Sequence, residues 1–287
     1  MSLSKFSMLA FASLLAVQSV ARADADRPLT NTKFDPNAKQ VELFTAMEDD
    51  SISVKLIAKD STGGNLFISN KTSEPLTVTM PQGFVAVPAN AQFGGGMGGG
   101  GAGQGMAGAG GGAGGGQQQA MGGGAGGGMG GMGGGGMGGG GMGGGGGGFF
   151  SIPPEKTLRV PYTSVCLNHG LAEPTPRSTY RLVRVEEYTE NPALQQLINM
   201  VGTGRLNQHS AQAATWNIAN GISWEELAAK SDSPVPVPGS NYFSVEQLMA
   251  AQQIAASAQS IAAEKAQAQG EDKKPATNIP VRTRTSR

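Results

Sequence analysis

From residue 52 onward, apolar residues recur at every second position in short runs separated by turn residues. Ile52, Val54 and Leu56 form the first set. Leu66 and Ile68 follow the Gly63-Gly64 turn, Leu76, Val78 and Met80 follow the turn residues 70–75, and Phe84 to Val87 ends the first half. The pattern resumes at Phe149-Phe150-Ser151-Ile152. It continues through Leu158, Val160 and Tyr162, through Val165-Cys166-Leu167, and through Tyr180 to Val185. Period-two alternation over short runs marks strands with one buried face, and such strands divided by turns predict a small β-sandwich-like part. Upstream, Val41, Phe44 and Met47 recur every third residue, which predicts a short helix from an Asn37 cap to Asp49.

The period then changes. Asn191-Pro192 places a capping residue before a proline at the first helical position, and Leu194, Leu197, Ile198 and Val201 mark one face of a helix that Gly202 ends. A second helix is predicted from about His209 to Asn220, stopped by Gly221, and Ser223-Trp-Glu-Glu226 is a capping box for a third. Residues 233–243 read as a Pro-rich linker. Ser244-Val-Glu-Gln247 is another capping box, opening an Ala/Gln-rich helix over 244–269 with a thin stripe of Val245, Leu248, Met249, Ile254 and Ile261. That helix either protrudes or lies on a partner. The predicted fold class is therefore α+β: a β-sandwich-like part, a helical part and a C-terminal helix. Residues 38–93 and 149–232 form one domain, and residues 270–287 form a disordered tail.

Composition adds the segment that divides this domain. Residues 94–148 contain 38 Gly, 7 Met, 6 Ala and 4 Gln, and nothing else. Glycine loses the most backbone freedom on folding and has no side chain to bury, so the tract reads as a disordered insert looped out between two strands. Phe93 and Phe149 are expected to lie close together, and the tract is expected to be dispensable. Closing a long loop costs little more than closing a medium one.

The N-terminus supplies an address. Lys5 is a basic n-region, Phe6 to Val20 an apolar core too short for a comfortable membrane span, and Ala21-Arg22-Ala23 a small-residue cleavage site. Residues 1–23 thus read as a signal peptide and residues 24–37 as a flexible arm. The mature chain is expected to be secreted, periplasmic or at the cell surface, without a membrane span. It carries a formal charge of −2 once Lys5 and Arg22 are removed, which gives no reason to expect a nucleic-acid partner. One cysteine, Cys166, precludes an internal disulfide. It is buried and inert, paired between chains, or chemically used.

Candidate chemistry is sparse. Cys166-Leu-Asn-His169 has metal-like spacing, but His209 is the one other histidine, so no closed zinc set can be assembled. Met132, Met137 and Met142 recur every five residues without His or Cys beside them, the pattern of a spacer more than of a copper site. No paired acid and base, metal cluster or cofactor cradle is visible, so no catalytic, cofactor-binding or metal residue is assigned and the chain is not expected to be an enzyme.

Two resemblances add to this reading. Val165-Cys166-Leu167 together with Ala211-Gln-Ala-Ala-Thr-Trp216 resembles the paired signatures of bacterial thioester adhesin domains, with Ala211 and Thr215 departing from the usual residues. That resemblance implies an internal thioester between Cys166 and Gln212, able to capture an amine on a surface. More broadly, three blocks resemble a family of secreted, uncharacterised planctomycete proteins with a Gly-rich insert. They are Val41–Met47 with Ser69–Leu76, Phe149–Lys156, and Val165–Gly170 with Ala211–Trp216 and Gly221–Leu227. This second resemblance implies an exported bacterial protein and no activity. The expected function is a non-catalytic structural or interaction protein of the bacterial cell envelope, whose partner is an unidentified protein or envelope surface. The alternative is a covalent adhesin built on Cys166 and Gln212.

Overall fold

Alternating runs become strands and the helix signals become helices. The computed structural model describes residues 27–89, 118–125, 148–231 and 241–272. The strands are β1 (Lys39–Glu42), β2 (Ile52–Asp60), β3 (Gly63–Asn70), β4 (Leu76–Thr79), β5 (Phe84–Pro88), β6 (Met121–Gly124), β7 (Phe149–Ile152), β8 (Thr157–Cys166) and β9 (Tyr180–Val183). The helices are α1 (Leu43–Glu48), α2 (Val185–Tyr188), α3 (Pro192–Gly202), α4 (Gln208–Asn220), α5 (Trp224–Ala229) and α6 (Val245–Asp272). The class is α+β. In place of a two-sheet sandwich, however, six strands close a barrel in the order β2-β3-β8-β6-β5-β9, and a small sheet β1-β4-β7 lies beside it.

The strand that makes this difference is β6, which comes from inside the glycine tract. Met121–Gly124 pairs antiparallel with Phe84–Ala86 of β5 on one side and with Thr163–Cys166 of β8 on the other. Residues 119–125 are buried. The expectation that residues 94–148 form one disordered, dispensable loop is thus corrected for Gln118–Ala125. The physical reason is that the strand lies where side chains do not fit. A Cβ on Gly122 would lie 2.8 Å from Ile198 Cγ1 of α3, and one on Gly124 would lie 2.7 Å from Gly202 Cα. A Cβ on Gly123 would overlap the Thr163 carbonyl. Ladder bonds on both edges and burial of Met121 offset the ordering entropy that composition alone makes prohibitive. Phe93 and the rest of the tract, Met132, Met137 and Met142 included, lie outside the described residues.

Side chains alternate across a strand, so β5 and β8 feed two cores. Phe84, Ala86, Leu158, Val160 and Tyr162 join Leu56, Leu66, Ile68 and Met121 in the barrel interior. Val85, Val87, Val165 and Leu167 face outward into a second cluster with Leu197 and Ile198 of α3 and Trp216 of α4.

Three further expectations are corrected. The helix placed over 37–49 is a helix only from Leu43, because Lys39–Glu42 extends to pair in parallel with the edge of β4. The arm is docked over its described part. Leu29 N–H donates to the Thr157 carbonyl (2.7 Å), Arg159 N–H donates to the Leu29 carbonyl (2.8 Å), and Phe34 meets Phe149 edge-on at 5.2 Å. The C-terminal helix packs against α3 and α4 through Leu248, Ala251, Ala255 and Ala258, while Val245 and Met249 are exposed. Small side chains let helices approach closely, so alanines take the place of Val245 and Met249 in the contact stripe, while Leu248 and Ile254 pack as expected.

The β6 fit predicts that Gly123→Ala destabilises the whole barrel. Overpacking a filled site costs about 1–3 kcal/mol, read as a lowered denaturant midpoint. Unfolding indistinguishable from the parent would mean that residues 121–124 do not occupy the slot.

Candidate functional site

The elements carrying Cys166 and Gln212 meet where β8 loses one neighbour. β3 pairs with β8 as far as Thr163, and the Ser164 N–H still donates to the Thr62 carbonyl at 2.9 Å. Beyond that point the strand edge has no ladder partner on the β3 side. On its other edge β6 continues, with Leu167 N–H donating to the Ala120 carbonyl at 2.9 Å. The N–H and C=O of Cys166 point toward the vacant edge and are buried, so they require partners.

Helix α4 supplies them. Gln212 Oε1 accepts from the Cys166 N–H at 2.8 Å, and Gln212 Nε2 donates to the Cys166 carbonyl at 2.8 Å. One turn earlier, Gln208 Nε2 donates to the Ser164 carbonyl. Positions i and i+4 share a helix face. A primary amide offers the same donor and acceptor as a peptide group. The two glutamines therefore stand in for the strand that β3 no longer provides. The local sequence permits this approach. Asn207 caps the helix by accepting from Ser210 N–H (3.1 Å), Ala211, Ala213 and Ala214 keep the facing surface low, and Gly221 ends it in the left-handed region at φ 68°.

The Cys166 side chain lies on the inward face of β8, in register with Met121 across the barrel wall. Burial pushes its thiol up to about 12; the Glu173 and Asp60 carboxylates add to the rise and a hydrogen bond with Ser61 opposes it. The thiol is therefore protonated at neutral pH, the poor-nucleophile form. The structure does bring Cys166 and Gln212 together, but the two hydrogen bonds between them run to the Cys166 backbone. They make the Gln212 side chain a bridge between α4 and the Cys166 backbone.

The remaining motif residues have packing roles as well. Asn168 Oδ1 accepts from the Ala120 N–H at 2.9 Å and so anchors the start of β6. His169 packs edge-on against Trp216 with ring centroids 4.6 Å apart. Burial, and then the Lys230 ammonium, hold the His169 pKa below its usual value. Trp216 also meets Tyr242 (5.8 Å) and Phe243 (5.9 Å), and Lys230 Nζ sits 5.4 Å from the Trp216 ring. The end of the Pro-rich linker region, Asn241 to Phe243, is thereby docked. His209 lies against the same aromatic group, 5.9 Å from Tyr242. Among the described residues, no group of three His, Cys, Asp or Glu side chains could hold a metal ion.

Sequence reasoning missed Gln208, Asn168 and the β6 anchor residues. Gln119 N–H donates to the Ala172 carbonyl (3.1 Å), Tyr180 Oη donates to the Gln119 carbonyl (3.1 Å), and Gln118 Nε2 donates to Ser178 Oγ (2.6 Å). The available signals were the i, i+4 spacing of Gln208 and Gln212, and the run Gln117–Met121, where the tract goes longest without a glycine.

Two outcomes follow for the clamp. Gln212→Ala leaves a buried N–H and C=O unpaired, at about 1–3 kcal/mol for each group, so its denaturant midpoint falls well below that of a surface Gln→Ala control. An effect no larger than the control's would place the amide in solvent. The thiol gives a pH signature. Folding raises its pKa from 9.0 to about 12, so the unfolded chain releases the proton first. Its contribution to stability is complete below pH 9 and declines as pH rises toward 12. Cys166→Ala removes that part of the alkaline loss, seen as a shallower fall in urea midpoint above pH 9 than in the parent, which has the same tyrosines. Identical profiles would contradict the burial of the thiol.

Compared with known proteins, the chain matches no family model, no curated protein and no solved structure.

Proposed function

We propose that this chain is a non-catalytic structural or interaction protein of the bacterial cell envelope, exported by its N-terminal signal. The observation that carries this reading is the use made of Cys166 and Gln212. The nucleophile is buried and protonated, and the amide it would attack is engaged as a backbone surrogate between β8 and α4. The motif residues around them, Asn168, His169 and Trp216, serve the same junction. What the fold holds in its wall is a side-chain-poor strand, bound along both edges as a peptide is bound in β-augmentation. The resemblance to secreted planctomycete proteins agrees with an exported location and supplies no reaction.

The adhesin reading rests on one specific observation, the 2.8 Å approach of Gln212 Oε1 to the Cys166 backbone nitrogen. In that reaction the thiol sulfur adds to the Gln212 amide carbon, the C–N bond breaks, and the thiol proton leaves with the nitrogen as ammonia. It requires the amide to abandon both hydrogen bonds and the thiol to lose a tightly held proton.

Intact mass of the exported protein, with alkylation of its thiol, separates the two. The structural reading predicts a chain beginning at Asp24 with no ammonia deficit, whose Cys166 alkylates fully in denaturant and scarcely in native buffer. A deficit of one ammonia, abolished in Gln212→Ala, would establish the thioester and overturn the structural reading. An intact Met1 end would make residues 1–23 an uncleaved anchor in place of a removed signal.

A further inference from the structure

The strand that closes the barrel is held in a way that does not depend on which chain supplies it. Residues Gln118–Ala125 are fixed by ladder bonds to β5 and β8, by the Gln118, Gln119 and Ala120 hydrogen bonds, and by burial of Met121. None of these contacts involves the chain on either side of the segment. By sequence, 28 residues separate Ala89 from Gln118 and 22 separate Ala125 from Gly148. By contrast, two residues connect β2 to β3. At about 3.3–3.6 Å per extended residue, either connector reaches well beyond one domain.

Steric selection makes the slot specific. Ile198 and Leu167 face Gly122, Thr163 faces Gly123, and Gly202 faces Gly124, so the slot admits Met-Gly-Gly-Gly and rejects a strand with side chains at those three positions. The same tetrapeptide begins at Met97, Met132, Met137 and Met142, but Gln-Gln-Ala precedes it only at Met121. The side chains of Gln118, which donates to Ser178 Oγ at 2.6 Å, and of Gln119, whose Nε2 donates to Glu173 Oε1 at 3.4 Å, therefore choose this copy among five.

We propose that the slot between β5 and β8 also takes Gln118–Ala125 from a second copy of this chain, so that crowded molecules link by exchanging their closing strand. The partner of this interaction protein is then itself, through β-strand addition to a gap in its own barrel. A long connector gives the resident strand an effective concentration on the millimolar scale or lower. Exchange is thus favoured where chains are dense, or where the resident strand is weakened. The inference builds on the non-catalytic reading, which the mass and alkylation measurement tests separately.

The register offers a direct test. Gln212 occupies the N–H and C=O of Cys166, so Met121 and Cys166 form a non-hydrogen-bonded cross-strand pair. Their Cα separation of about 4.5 Å lies within disulfide range. In Met121→Cys the new thiol should close an intramolecular disulfide with Cys166. A donor chain, Met121→Cys with Cys166→Ser, is then co-refolded and oxidised with a differently tagged receptor that keeps Cys166. The receptor is either otherwise unaltered or carries Gly123→Val to weaken its own strand. Exchange predicts a disulfide-linked band containing both tags on non-reducing gels, stronger with the Gly123→Val receptor and lost when the donor also carries Gly123→Val. The proposal is overturned if Met121→Cys closes its own disulfide while mixed chains give no such band. It is equally overturned if the band survives Gly123→Val in the donor, which makes the cross-link non-specific, or if the intramolecular disulfide never forms.

Discussion

The barrel depends on a gap that only glycine can fill. β5 and β8 each need a neighbour on the sides that face one another, and α3 presses on the outside of the space between them through Ile198 and Gly202. A strand must enter to satisfy the two edges, because buried N–H and C=O groups without partners are costly. That strand must be nearly bare on its outer face. The tract's composition, which makes it unfit to fold alone, is what fits it to this place. Glycine is a poor strand former because it has no side chain to pack; here the packing comes from the neighbours that close in over it.

The same accounting explains the β8–α4 junction. A strand shared by β3, β6 and a helix cannot be paired along its full length by strands alone. Where β3 stops, Gln208 and Gln212 continue the hydrogen bonding from the helix, and the alanines around Gln212 bring the helix close enough for a side chain of that length to reach. Asn168 performs a similar service for β6, and His169 seats Trp216. Residues that read as a chemical motif in a linear sequence thus form a structural knot in which barrel, closing strand and helical layer are tied at one point. The amide that serves as a backbone surrogate and the buried thiol are the two observations on which the proposed interaction role rests.

Most of the strands and helix ends were legible in the sequence because their signals are local. Alternation located β2 to β5 and β7 to β9, and the Asn191-Pro192, Ser223 and Ser244 caps were read from a few adjacent residues. What was not legible depends on tertiary neighbours. β6 has no alternation to detect, since its environment and not its own pattern makes it a strand. Without it, the remaining strands read as an open sandwich. The alanine stripe of α6 was invisible for a related reason: alanine signals helix propensity in the sequence, and only the facing helices make it a contact surface. Of the candidate site, the pairing of Cys166 with Gln212 was visible by resemblance. Its hydrogen-bonding role was not, because sequence says nothing of which edge of a strand is vacant.

The central claim is that residues 121–124 are an integral strand of the barrel. Native-state amide hydrogen exchange resolved to that segment tests it most directly. A closing strand predicts protection at Met121–Gly124 comparable to that of Val160–Val165 in β8, lost only when the whole barrel unfolds. Exchange there at the rate of a free glycine-rich peptide, with β8 still protected, would contradict it.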